Sequence, residues 1–132
     1  MLKHLHNIVL TKERSLNHGN LTFENIIVGN DNKIWLIDYS GSFYPHYWLD
    51  LATLLQDLDG RWYEIKSKIK INEKKVDNLK EYLMDKVTSL DEDYIKHHSF
   101  FMSLVFLRIL PYAQSEEDKQ KILHKIESFL KQ

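Results

Sequence analysis

The chain has no cysteine, which excludes disulfides and thiolate metal centres and gives no sign of an oxidising compartment. Proline and glycine are scarce, two and four residues spread over 132, so no flexible linker divides the sequence and one domain over residues 1–132 is expected. Charge of one sign is also lacking. Lysine and arginine total 18 against 19 aspartates and glutamates, a formal net charge of −1, so neither nucleic acid nor an anionic membrane surface is an expected partner. The longest apolar run, Phe100 to Leu110, is interrupted by Ser103 and Arg108 and falls short of the roughly 20 residues that a membrane-spanning helix needs. The opening MLKHLHNIVL holds two histidines within its apolar stretch and no small-residue cleavage signal, so it reads poorly as a signal peptide and a cytoplasmic protein is expected.

What remains is a composition suited to a packed core: 43% hydrophobic and 28% charged residues are ordinary proportions for a folded domain. Leu2, Leu5, Ile8 and Val9 recur at helical spacing, which predicts a helix over residues 2–12 or the end of one. Between Ile26 and Asp38 the pattern changes to two β-rich runs, Ile26-Ile27-Val28 and Lys33-Ile34-Trp35-Leu36-Ile37, on either side of Gly29-Asn30-Asp31-Asn32. Such runs around turn residues predict a β-hairpin. Leu51, Leu54, Leu55 and Leu58 mark one helix; Val76, Leu79, Leu83, Val87 and Leu90 mark a second. Phe100, Phe101, Leu104, Val105 and Leu107 indicate a buried helix ending before Pro111. Ser115 with Asp118 three residues on predicts a further helix start, with Ile122, Ile126, Phe129 and Leu130 as its inner face. The expected class is α+β and mostly helical, with a loop and one hairpin over residues 18–38 and a helical remainder over 48–131.

The informative stretch is His18-Gly19-Asn20-Leu21-Thr22-Phe23-Glu24-Asn25, just before the first strand, with Asp38 at the end of the second. A hairpin brings its two ends together, so Asn25 and Asp38 are expected side by side. An amide oxygen and a carboxylate are hard oxygen ligands of the kind Mg²⁺ prefers, with phosphate and water completing the octahedron. Each piece alone is a weak signal, and Asn20 taken singly is a turn residue.

Taken in order, the pieces resemble the aminoglycoside phosphotransferase and choline kinase superfamily, whose protein-kinase-like fold carries a loop of the form H-G-D-L-x-x-x-N, a hydrophobic strand and I-D-[FY]. Here the match is His18-Gly19-Asn20-Leu21, Asn25-Ile26-Ile27-Val28 and Ile37-Asp38-Tyr39, followed by Asp50-Leu51-Ala52. It covers residues 18 to 52; the segment Arg108 to Tyr112 is compatible with the family's C-terminal helices but much less specific. The resemblance implies a C-terminal kinase lobe in which Asn25 and Asp38 hold Mg²⁺ and, through it, ATP. It implies that His18 serves loop structure and that Asp50 braces the loop around His18 through backbone hydrogen bonds. A small molecule bearing a hydroxyl is the implied acceptor, because only residues 39–49 separate Asp38 from Asp50 and leave no room for an activation loop.

Two departures qualify what the resemblance implies. Asn20 stands where the family has its catalytic aspartate, and a neutral carboxamide is not a usable base at neutral pH. The Gly-rich loop and strand lysine that hold ATP from the N-terminal lobe have no counterpart before His18, so the expectation is a truncated or degenerate lobe, inactive alone, that needs a separate N-lobe or associates with itself. The alternative is a pseudokinase-like binding module. Among the remaining features, Tyr39, Phe43, Tyr44, Tyr47 and Trp48 are read as satellite core, and Glu24 as solvent-facing. His97 and His98, adjacent on a helix, point to different faces and are not read as a metal pair. Lys66 to Lys75 is read as a solvated face.

Overall fold

The computed structural model describes residues 15–41, 46–68 and 70–132. The helix expected over residues 2–12, and Phe43 and Tyr44, lie outside them. A one-turn 3-10 helix, Phe23–Asn25, leads into strand β1 (Ile26–Val28), which pairs antiparallel with β2 (Ile34–Leu36). The register sets Ile26 opposite Leu36, Ile27 opposite Trp35 and Val28 opposite Ile34. Between them Asn32 N–H donates to Gly29 O at 3.0 Å, and Asn32 takes φ +59°, a left-handed conformation that asparagine tolerates better than most residues.

Five helices follow: α1 (Tyr47–Leu55), α2 (Trp62–Lys66), α3 (Glu73–Leu90), α4 (Glu92–Ile109) and α5 (Glu116–Leu130). Side chains cap four of the five starts. His46 Nδ1 accepts from Trp48 N–H at 3.3 Å, Asn72 Oδ1 from Lys75 N–H at 3.1 Å, Asp91 Oδ1 from Asp93 N–H at 3.0 Å, and Ser115 Oγ from Asp118 N–H at 3.0 Å. Each such bond satisfies an amide that would otherwise be orphaned, worth typically about 1 kcal/mol. Helix α4 passes into a 3-10 turn, Leu110–Tyr112, that contains Pro111, because proline has no N–H to continue the ladder.

The core gathers around α4, which packs on α5, α1 and α3. Trp48, Leu49, Ala52 and Leu55 from α1 meet Phe101, Met102, Val105 and Phe106 from α4, and Ile122 and Phe129 close it from α5. Gly60 lets this packing come close: a Cβ there would stand 2.2 Å from the ring of Phe106. The apolar stripes are narrower than their periodicity suggests. Leu130, read above as part of an inner face, and Leu90, one of the residues that mark α3, are the last residues of α5 and α3 and are exposed, as are Leu79 and Leu107.

The architecture is therefore α+β, mostly helical, with one two-stranded sheet. No helix among the described residues is long and apolar enough to cross a membrane.

Candidate functional site

The loop before β1 is held by groups distant in sequence. Gly19 takes φ +82°, and a Cβ on it would lie 2.0 Å from Ser40 O, so both conformation and space require glycine. Ser40 N–H donates to His18 O at 3.0 Å, fastening the loop to the segment that follows β2. On the other side Asp50, buried in the first turn of α1, accepts from His18 N–H at 2.5 Å and from Gly19 N–H at 2.8 Å. A carboxylate is favoured there by the α1 dipole, and charge-assisted bonds of this kind are about twice as strong as neutral ones.

The hairpin places Asn20, Asn25 and Asp38 on one cleft of about 520 Å³, lined also by Thr22, Ser40 and Tyr112. Asn25 Nδ2 donates to Asn20 O at 2.8 Å. A carbonyl oxygen can only accept, so the amide is fixed with its nitrogen inward and Oδ1 remains to receive a ligand. The backbone of Asn25 is tied at both ends, N–H to Thr22 O and O from Ile37 N–H, each at 3.0 Å. Asp38 is exposed and sits at φ +56°, an uncommon conformation for a non-glycine residue that needs support from its surroundings. The donor set fits Mg²⁺: one oriented amide oxygen and one carboxylate, with phosphate and water needed for the rest. Among the described residues no group of three or more His, Asp or Glu side chains could hold a metal ion by itself.

Three contributors to the cleft went unassigned in the sequence. Arg108, near the end of α4, donates from Nη1 to Gly19 O and from Nη2 to Asn20 Oδ1, both at 3.0 Å. Burial lowers its pKa, while Tyr112 and Asp50 act in the opposite sense. The available signal was an arginine inside the apolar run Phe100 to Leu110, which must find acceptors if it is not to lie unpaired in a core. Lys66 reaches both carboxylate oxygens of Glu24 at 2.7 Å; Glu24, expected to be merely solvent-facing, is exposed but lines the cleft. Gln56 is only 4% exposed, and its Oε1 has no hydrogen-bond partner among the described residues.

A second pocket of about 370 Å³ shares Glu24, Trp62 and Lys66 with the first and adds Phe23, Leu58, Tyr63, Val76 and Leu79. Asp57 stands in its wall. Burial, with a smaller push from Glu24, raises the Asp57 carboxyl to about 6, against the opposing effects of Lys66 and a backbone hydrogen bond.

His18 serves the loop through its backbone alone: both ring nitrogens are buried without a partner among the described residues, and the ring meets Tyr39 edge-on at 6.1 Å. The aromatic run is not one cluster, since Trp48 is core while Tyr39 and Tyr47 are exposed. His98 lies between Asp59 and Tyr94, with Nε2 donating to Asp59 Oδ2 at 2.8 Å and Nδ1 2.9 Å from the Tyr94 hydroxyl; His97 packs its ring at 5.4 Å from Trp48. In comparison with known proteins, no family model, curated protein or solved structure matches the chain.

Proposed function

We propose that the chain is the C-terminal lobe of a protein-kinase-like small-molecule phosphotransferase, of the aminoglycoside phosphotransferase and choline kinase kind, with a carboxamide in place of its catalytic base. One observation carries the reading: the hairpin sets Asn25, its amide oxygen turned outward, and Asp38 on the same cleft as position 20. The loop that leads into position 20 is gripped by Asp50 through the backbone amides of His18 and Gly19.

In this reading Asn25 and Asp38 hold Mg²⁺, which would neutralise charge on the nucleotide phosphates. Asp50 and Arg108 keep the loop in register with that site. Asn20 can orient an acceptor hydroxyl but cannot take its proton, a loss worth about 10²- to 10⁴-fold in rate. Positioning and charge neutralisation dominate phosphoryl transfer, so the metal-binding half retains value without the base. The adjoining pocket with Asp57 would seat the acceptor. Nucleotide contacts from the opposite side would come from groups beyond the described residues.

The test is a thermal-shift titration of the chain with ATP, with and without Mg²⁺, followed by an assay of phosphate transfer to hydroxyl acceptors. Mg²⁺-dependent stabilisation that disappears in Asp38→Asn, and transfer that appears in Asn20→Asp, are the expected results. Absence of both sinks the reading.

A binding module without catalysis is the second reading, favoured by the hairpin surface. Val28, Ile34, Trp35 and Leu36 are all more than half exposed, and apolar surface of this kind commonly marks an interface. Light scattering that finds only monomer at high concentration, with no binding of a hydrophobic dye, would count against it.

A further inference from the structure

Position 20 is more than a missing base. Arginine carries only donors, so the atom of Asn20 that faces Arg108 Nη2 at 3.0 Å has to be Oδ1. Its Nδ2 is left with two N–H groups and no partner among the described residues, on a residue that lines the cleft. Arg108 lines it too, and spends two of its five N–H groups on Gly19 O and Asn20 Oδ1. What faces the cleft at this corner is therefore a set of donors backed by a fixed positive charge. The lining also carries the Thr22 and Ser40 hydroxyls, Lys66 already paired with Glu24, and the Asp38 carboxylate; the Asn20, Arg108, Thr22 and Ser40 donors suit the several oxygens of a phosphate.

We propose that Asn20 and Arg108 form a donor pair that binds a phosphate oxygen of a ligand in this cleft, with Arg108 as the positioning residue that turns the asparagine into that role. A phosphotransferase would take a proton from its substrate at this position; here the side chain gives hydrogen bonds to an oxygen that already carries the charge. Aspartate at position 20 would do the reverse: one carboxylate oxygen would accept from Arg108 and the other would point a negative charge at the ligand. The pair needs only an oxyanion, so it stands apart from the Mg²⁺-nucleotide reading of Asn25 and Asp38.

Isothermal titration of the full chain with tripolyphosphate, and separately with inorganic phosphate, in the presence of a chelator tests this. Wild type should bind tripolyphosphate. Asn20→Asp should bind it about tenfold to a hundredfold more weakly, the expected effect of losing a hydrogen bond to a charged group and gaining repulsion, with a thermal midpoint no lower than that of wild type. Arg108→Gln should weaken binding comparably, and Arg108→Lys should recover part of it by restoring charge without the fork. Asp38→Asn should bind metal-free tripolyphosphate more tightly, because it removes a facing negative charge, while losing Mg²⁺-ATP. Equal affinity in wild type and Asn20→Asp, or no binding of either anion by wild type, overturns the donor pair. Mg²⁺-ATP binding that depends on Asp38 alongside that outcome leaves the metal reading standing.

Discussion

The helical body and the loop with its hairpin are held together by different physics. In the body, Trp48, Phe101, Phe106 and Ile122 are wholly buried and the helix starts are capped locally, so stability comes from apolar area spread over many contacts. The loop and hairpin bury little. Trp35 is 59% exposed, Gly19, Asn32 and Asp38 all have positive φ, and the main ties to the body are two polar ones, Asp50 from α1 and Arg108 from α4. A body built on area tolerates the loss of a polar bond, whereas a loop built on two tethers does not. Damage to the site and damage to the fold should therefore be separable.

Phe106→Ala is the strongest challenge to that contrast. It opens a cavity where α1, α4 and Gly60 converge and should cost about 3–5 kcal/mol. Urea unfolding should show one transition moved to lower concentration, and loss of the loop without the body would contradict the division. Asp50→Asn should cost about 1–3 kcal/mol, since one loop amide loses an ionised acceptor and a carboxamide nitrogen faces another donor. Its signature is local: the amides of His18 and Gly19 should exchange with deuterium much faster while those of α4 keep their protection. Uniform loss of protection would mean that Asp50 belongs to the body.

Asp57 tests the seam between the two regions through pH. Its carboxyl is raised to about 6 in the folded chain, above an unfolded value near 3.9. The folded state thus binds more protons between those values, and stability falls as pH rises from about 4 to about 6. Asp57→Asn should be close to neutral at pH 3.5 and stabilising by about 1–3 kcal/mol at pH 7.5, as read from urea midpoints at both values. Asp59 runs the other way. Burial raises it, but hydrogen bonds and charges from His98 and Lys80 prevail and hold it at about 2, so its contribution is present at neutral pH and is lost as pH falls from about 4 to about 2. The smallest effect belongs to the exposed Lys66–Glu24 pair. Lys66→Ala should change stability by less than about 1 kcal/mol, and a larger change in a melting curve would show that the hairpin leans on α2.

The same contrast explains what could be read from the residues in order. Helices α3 and α5 announce themselves through Val76, Val87, Ile122 and Phe129, because helical periodicity is a local property, and Ser115 marks the start of α5 for the same reason. The hairpin was legible from Gly29 to Asn32 and its flanking β-branched runs. At the site, the spacing of Asn20, Asn25 and Asp38 could be read because a hairpin converts sequence separation into proximity. Arg108 and Gln56 could not be assigned, since nothing in the sequence says which turn of a distant helix will face the loop. The orphaned ring of His18 was likewise beyond reach: a sequence states that an imidazole is present but not whether its nitrogens find partners.

Asp91 sits at the joint of α3 and α4, and its Oδ2 accepts from Tyr47 Oη and, at 2.6 Å, from Trp48 Nε1 at the start of α1. Loop, α1 and α4 thus form three members pinned at three corners, Asp50, Asp91 and Arg108. A triangulated frame cannot shear unless one member stretches or one pin fails. Cutting the Asp91 pin leaves the apolar contact of α1 with α4 in place, so the loop should keep its position between its two remaining anchors.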